Sequence, residues 1–134
     1  MSNTQYIAEA RKRLLGTWHS DAERTMSEWV FPKRLAAKRY KWFKSIFGKN
    51  TWRFTDTHCT DEFEGENIVS TYRILWADEW SAVVVPGKGK KQTCHHLFFD
   101  GEHFYFSAGR AGNVEYFKHV EEPNIDTCRT GKES

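Results

Sequence analysis

Gly16-Thr17-Trp18 decides the reading of this chain. Upstream, residues 4–15 follow a helical period, with Ile7, Ala10 and Leu14 on one face and Arg11, Lys12 and Arg13 on the wet side. Thr4 is placed to cap that helix, and Gly16 to end it in the left-handed conformation that glycine reaches most easily. Downstream, Thr17 to Ser20 reads as a short strand. The tripeptide therefore marks the junction between a helix and the first strand of a sheet.

Asp21 then offers a cap for a helical stretch to about Val30. Pro32 interrupts it and opens a second helix from Lys33 to about Phe47. Leu35, Trp42 and Ile46 lie on one side of that helix, with Ala36, Phe43 and Phe47 beside them, and Gly48 ends it. From residue 50 the period shortens to about two. Strands are expected at 50–55, 57–63, 68–76, 80–86, 91–99, 103–108 and 113–120. Turn chemistry separates them at Gly65-Glu66-Asn67, Ala77-Asp78-Glu79, Pro86-Gly87-Lys88-Gly89, Asp100-Gly101 and Gly109 to Asn113. Connections this short favour antiparallel neighbours. With Thr17–Ser20 the strands number eight, enough for the sheet to close and lose its edges. The expected fold is mainly β: an antiparallel up-and-down barrel of about eight strands. An N-terminal helix precedes it and a helical insertion, 21–47, follows the first strand. Residues 1–120 form one domain in this reading, and 121–134 a polar, flexible tail.

A helix, then Gly16-x-Trp18, then a β-meander resembles the lipocalin-like (calycin) superfamily, and its small intracellular members in particular. The resemblance implies that Trp18 packs across the closed end of the barrel and that a basic side chain from the last strand, here Lys118, lies against it. Family members usually carry Arg at that place. Their second motif, Thr-Asp-Tyr, has no counterpart, and Thr55-Asp56-Thr57 falls elsewhere in the chain. The resemblance further implies a small, mostly apolar ligand held inside the barrel.

Composition narrows the function classes. The 134 residues include six Trp, ten Phe and five Tyr, rings that fill a core or line a pocket. Net charge is +2, but it is unevenly laid out. Residues 1–29 carry four basic and four acidic groups, 30–55 carry eight basic and none acidic, and 56–134 carry eight basic and fourteen acidic. Cys59, Cys94 and Cys128 are odd in number and lack metal-ligand spacing, as free thiols in a reducing compartment do. Met1 leads into Ser2-Asn3-Thr4-Gln5 rather than an apolar run, and no segment reaches membrane-span length, so a cytoplasmic protein is expected. The six histidines give no convergent ligand set, and neither a metal nor a cofactor is expected. Pro86-Gly87-Lys88-Gly89-Lys90-Lys91 is a charged loop, since Gln92 and a strand follow where a P-loop needs Ser or Thr and a helix.

Alternation places interior candidates at Trp52, Phe54, Tyr72, Ile74, His95, Phe104, Phe106 and Tyr116, with Ala82 and Val84. The hairpin at Asp100-Gly101 sets which histidine joins them. A two-residue turn there pairs Leu97 with Phe104 and puts His95 inside; a three-residue loop substitutes His96. Asp61, Glu64 and Glu66 read as solvated acids near a turn. Three functions follow: a barrel holding a small apolar ligand, with helix 33–47 as its lid; a filled barrel that acts through its basic helical face; or an enzyme using an interior His. The basic face is Lys33, Arg34, Lys38, Lys41 and Lys44. It suits an anionic partner or membrane surface through residues 33–53, and no specific nucleic-acid motif accompanies it.

Overall fold

The computed structural model of the protein describes residues 1–87, 93–108 and 112–121. Lys88 to Gln92, Gly109 to Ala111 and residues 122–134, with Cys128 and most of the expected tail, lie outside the described residues. Eight antiparallel strands form a closed barrel in sequence order. They are β1 (Gly16–Ser20), β2 (Asn50–Phe54), β3 (His58–Phe63), β4 (Glu66–Ala77), β5 (Ser81–Pro86), β6 (His95–Asp100), β7 (His103–Ser107) and β8 (Val114–Val120). β1 pairs with both β2 and β8, which closes the cylinder. Among the described residues three helices join them: α1 (Asn3–Leu14), α2 (Ala22–Glu28) and α3 (Ala37–Ile46).

Ser2, not Thr4, caps α1, through a reciprocal pair with Gln5. The helix buries Ala10 and Leu14 in the barrel core, with Tyr6 and Ile7 packed against it. Arg11 and Arg13 do not simply point to water. Their guanidinium groups lie over the rings of Tyr72 and Phe99, at 5.2 Å and 4.1 Å from the centroids. They also donate to the carbonyls of Asp56 and Glu79. α1 is thus a stopper fastened to the barrel rim by its basic stems as well as by its apolar stripe.

Gly16 has φ +112°, and a Cβ there would sit 2.7 Å from His119 Nε2. Only glycine allows both the conformation and the close approach. Trp18 follows, 4 % exposed, and its Nε1 donates to the carbonyl of Leu14 at 2.8 Å. That bond satisfies the ring's only donor and one of the carbonyls at the end of α1. Phe104 packs 4.8 Å from Trp18 and stacks on Phe117, and both Phe are fully buried. Burial of each such ring contributes on the order of 2–3 kcal/mol.

The expected two-residue hairpin forms one position later. Asp100 pairs with His103, and Phe99 with Phe104. Gly101 and Glu102 make the turn, with positive φ only at Gly101 (+58°), as a type II′ turn requires. Asp100 stays in the strand, where Arg24 Nη2 of α2 holds its carboxylate at 2.6 Å. The slip amounts to two residues, so side-chain parity survives and His95 still faces inward.

The insertion also departs from expectation. Asp21 caps α2 as expected, accepting from the Arg24 amide. Pro32 does not open a helix: Lys33 and Arg34 form a turn, and α3 starts at Ala37 without a side-chain cap. α2 is sewn to β8, where Thr25 Oγ1 accepts from the Tyr116 amide at 2.9 Å in a buried seam. Asn113 ties Val30 at both its amide and its carbonyl. The ring contacts of α3 are with Trp29, Phe31 and one another, and none is with a barrel-lining ring among the described residues.

Candidate functional site

The middle of the barrel is filled. Trp52 stacks on Phe54 at 5.9 Å, and His95 sits edge-on to Trp52 and Phe106, each at 5.6 Å. With Val84, Leu97 and Phe104 these residues enclose a void of about 10 Å³, room for one water molecule at most. Nine of the ten interior candidates are where alternation puts them: Trp52, Phe54, Tyr72, Ile74, Ala82, Val84, His95, Phe104 and Phe106. Tyr72 and Ile74 serve packing. The Tyr72 hydroxyl donates to the Thr55 carbonyl at 2.6 Å, and a bulge between Ile74 and Trp76 lets both Ile74 and Ala77 face the core.

Tyr116 is the correction. It is buried, but on the outer face of β8, stacked on Tyr105 at 5.2 Å and covered by Arg24 4.0 Å from its centroid. Its hydroxyl donates to Glu28 at 2.7 Å. Phe117 and Glu115 take the inward positions, because parity on β8 is fixed by the Phe104–Phe117 pair. The same parity turns Lys118 outward. Its side chain is 54 % exposed with Glu102 at 4.0 Å. His119 instead meets Trp18, edge to face at 4.8 Å, and donates to the Leu15 carbonyl. The closing cation expected at Lys118 is replaced by an imidazole one residue on.

At the mouth the packing stops. A pocket of about 330 Å³ opens there, lined by Trp52, Cys59, Asp61, Ile68, Ser70, Pro86, Thr93 and His95. β3 supplies Cys59 and Asp61 at i, i+2, on its inner face. Asn50 at the start of β2 sets the local geometry. Its amide donates to Asp61 Oδ1 at 2.6 Å and to the Glu62 carbonyl at 2.9 Å, while its own oxygen accepts from Trp52 Nε1 at 3.1 Å. One side chain thereby fixes both the carboxylate and the indole that border the pocket. Asp61 is therefore no solvated turn acid.

Glu115, inward on β8, accepts from Ser20 Oγ at 2.7 Å, and Ser20 in turn accepts from the Gly48 amide. Burial raises the Glu115 carboxyl above its ordinary value and the Asp61 charge adds to this, against the lowering effect of the Ser20 bond. Burial pushes His95 down, opposed by Asp61, so at neutral pH its ring is uncharged. Burial pushes the Cys59 thiol up, which keeps it protonated. Among the described residues no group of three or more His, Cys, Asp or Glu side chains is arranged to hold a metal ion.

Sequence reasoning missed Asn50, Asp61, Ser70, Thr93 and Glu115. The alternation Cys59-x-Asp61 was the available signal for one of them. Lys33, Arg34, Lys38, Lys41 and Lys44 are all exposed, as expected for a basic face. Trp42, expected to pack, is 54 % exposed. Arg73 lies exposed on the outer face of β4. No described helix is long and apolar enough to cross a membrane.

A closed eight-stranded antiparallel barrel with Trp18 at one end and a polar-rimmed pocket at the other is consistent with a calycin-like barrel. Comparison with protein-family models, curated proteins and solved structures gives no match to this chain. The likeness to that class therefore stands on architecture and on Gly16-x-Trp18.

Proposed function

We propose that this protein binds a small ligand with an apolar body and a protonated amine, seated at the mouth of the barrel rather than along its interior. The observation that carries the reading is the 330 Å³ pocket beside the pinned Asp61 carboxylate. Its volume is at the lower end of the range for small-molecule sites. The void beneath it, about 10 Å³, leaves no space for a ligand to go deeper. Trp52, Ile68 and Pro86 offer apolar walls. Asp61 offers a charge-assisted acceptor for an ammonium group, and neutral His95 an orienting hydrogen bond. Among the described residues no Lys or Arg lines it. The protonated Cys59 thiol supports holding a ligand rather than reacting with it.

Phenethylamine and 2-phenylethanol, titrated by calorimetry, test this directly. The amine binds and the alcohol of similar shape binds at least about tenfold more weakly, the size of one charged hydrogen bond. Asp61→Asn removes the preference. Equal affinity for the two, or an unchanged preference in Asp61→Asn, contradicts the reading.

A further inference from the structure

α3 presents a surface that the mouth pocket does not explain. None of its ten residues is buried, and none is acidic. Lys38, Lys41, Trp42 and Ser45 are spaced three and four apart, so they share one side of the helix. Phe43 turns the other way, toward Trp29 and Phe31. Trp42 is 54 % exposed and nearby Val30 63 %. No ion pair among the described residues includes Lys33, Arg34, Lys38, Arg39, Lys41 or Lys44.

We infer that α3, with the Lys33-Arg34 turn before it, is a docking face for an anionic lipid surface. Charge complementarity selects an anion: residues 30–55 hold eight basic groups and no acid, while 56–134 carry a net −6. The remainder of the molecule is repelled by such a surface, which orients the approach. The exposed indole selects lipid among anions. A Trp beside lysines sits at headgroup level, with its ring toward the acyl boundary and the ammonium groups among the phosphates. The same lysines and Arg39 also suit nucleic-acid phosphates and guanine edges, so an oligonucleotide is the competing outcome of the test. The helix packs through the rings of its own insertion, and on its outer side Ala36, Lys38, Arg39 and Trp42 line an open recess of about 400 Å³, of a size to take a lipid headgroup. This face is separate from the mouth pocket, and either can fail without the other.

Co-sedimentation with vesicles of phosphatidylcholine, alone or mixed with phosphatidylserine, tests the assignment. The protein binds the mixed vesicles, binds less as salt is added, and ignores phosphatidylcholine alone. Replacing Lys38, Lys41 and Lys44 by Gln weakens binding about fivefold per lysine. The far-UV circular dichroism and the thermal midpoint stay as they were, because the three side chains are exposed. Trp42→Ala weakens the binding that persists at high salt. Absence of binding to the mixed vesicles overturns the assignment, as does full binding by the triple variant. So does binding to an oligonucleotide without binding to vesicles, or a concentration-dependent dimer that Trp42→Ala abolishes.

Discussion

The two ends of the barrel are built from the same strands and differ in almost everything else. At the closed end α1 drops Ala10 and Leu14 into the core, Trp18 lies beneath them, and its indole N–H donates to the Leu14 carbonyl. At the mouth Asp61 and Glu115 face inward, Ile68 is 67 % exposed, and a pocket of about 330 Å³ remains. Strand alternation alone would give both ends the same dry lining. The difference comes from what meets each rim: α1 fits an apolar stripe into one, whereas no residue of the described helices lines the pocket at the other. Buried apolar packing is concentrated at the first end and open, polar-lined space at the second.

The sharpest way to break that contrast is to cut each end in turn. Trp18→Ala removes a buried ring and leaves the Leu14 carbonyl without its donor, and should cost about 3–5 kcal/mol in urea unfolding. Ile68→Ala at the mouth should stay within about 0.5 kcal/mol. Comparable losses at the two sites would erase the distinction. Next in size is the fastening of α2. Thr25→Val keeps the shape and strands the Tyr116 amide in a buried seam, so a loss of about 1–3 kcal/mol is expected from the same measurement.

The mouth should also announce itself through pH. Glu115 has its folded pKa raised above the ordinary 4.5, so the folded state favours its protonated form. The resulting stabilisation is complete at acid pH, below the unfolded pKa, and is lost as pH rises through the folded value. Glu115→Gln should therefore flatten that part of the stability profile and exceed the wild type relatively more at neutral pH than at pH near 4. A parallel pair of profiles would place Glu115 in solvent. Asp21 behaves in the opposite sense. Burial acts to raise it, but hydrogen bonds from His103 and the Arg24 amide prevail and hold it low, so its contribution fades as pH falls. The smallest effect separates two neighbours on β8. Lys118→Ala should change stability by less than about 0.5 kcal/mol, while His119→Ala, which removes the edge contact on Trp18, should cost about 1 kcal/mol.

The barrel itself was legible because each strand from residue 50 onward is short, alternating and bounded by turn residues. Errors came where tertiary partners overrode local preference. Asp100-Gly101 looked like the turn, yet Arg24, 76 positions away, holds Asp100 in the strand. Pro32 looked like a helix start, yet Lys33 and Arg34 turn instead and α3 begins later. Tyr116 and Lys118 were misplaced by the parity of β8, which only its pairing with β7 fixes. The mouth was hardly legible at all. In sequence Asp61 reads as one more solvated turn acid, since its position three residues from Glu64 says nothing of the Asn50 amide that pins it inside.

Central to this account is that packing stops a ligand at the mouth. A two-dimensional amide NMR spectrum recorded during titration with phenethylamine tests that most directly. The account predicts shifts at Trp52, Asp61, Ser70 and His95 and none at Leu14, Trp18 or Phe117. Shifts that run down to Leu14 and Trp18, or a saturating titration that leaves the rim silent, would contradict it.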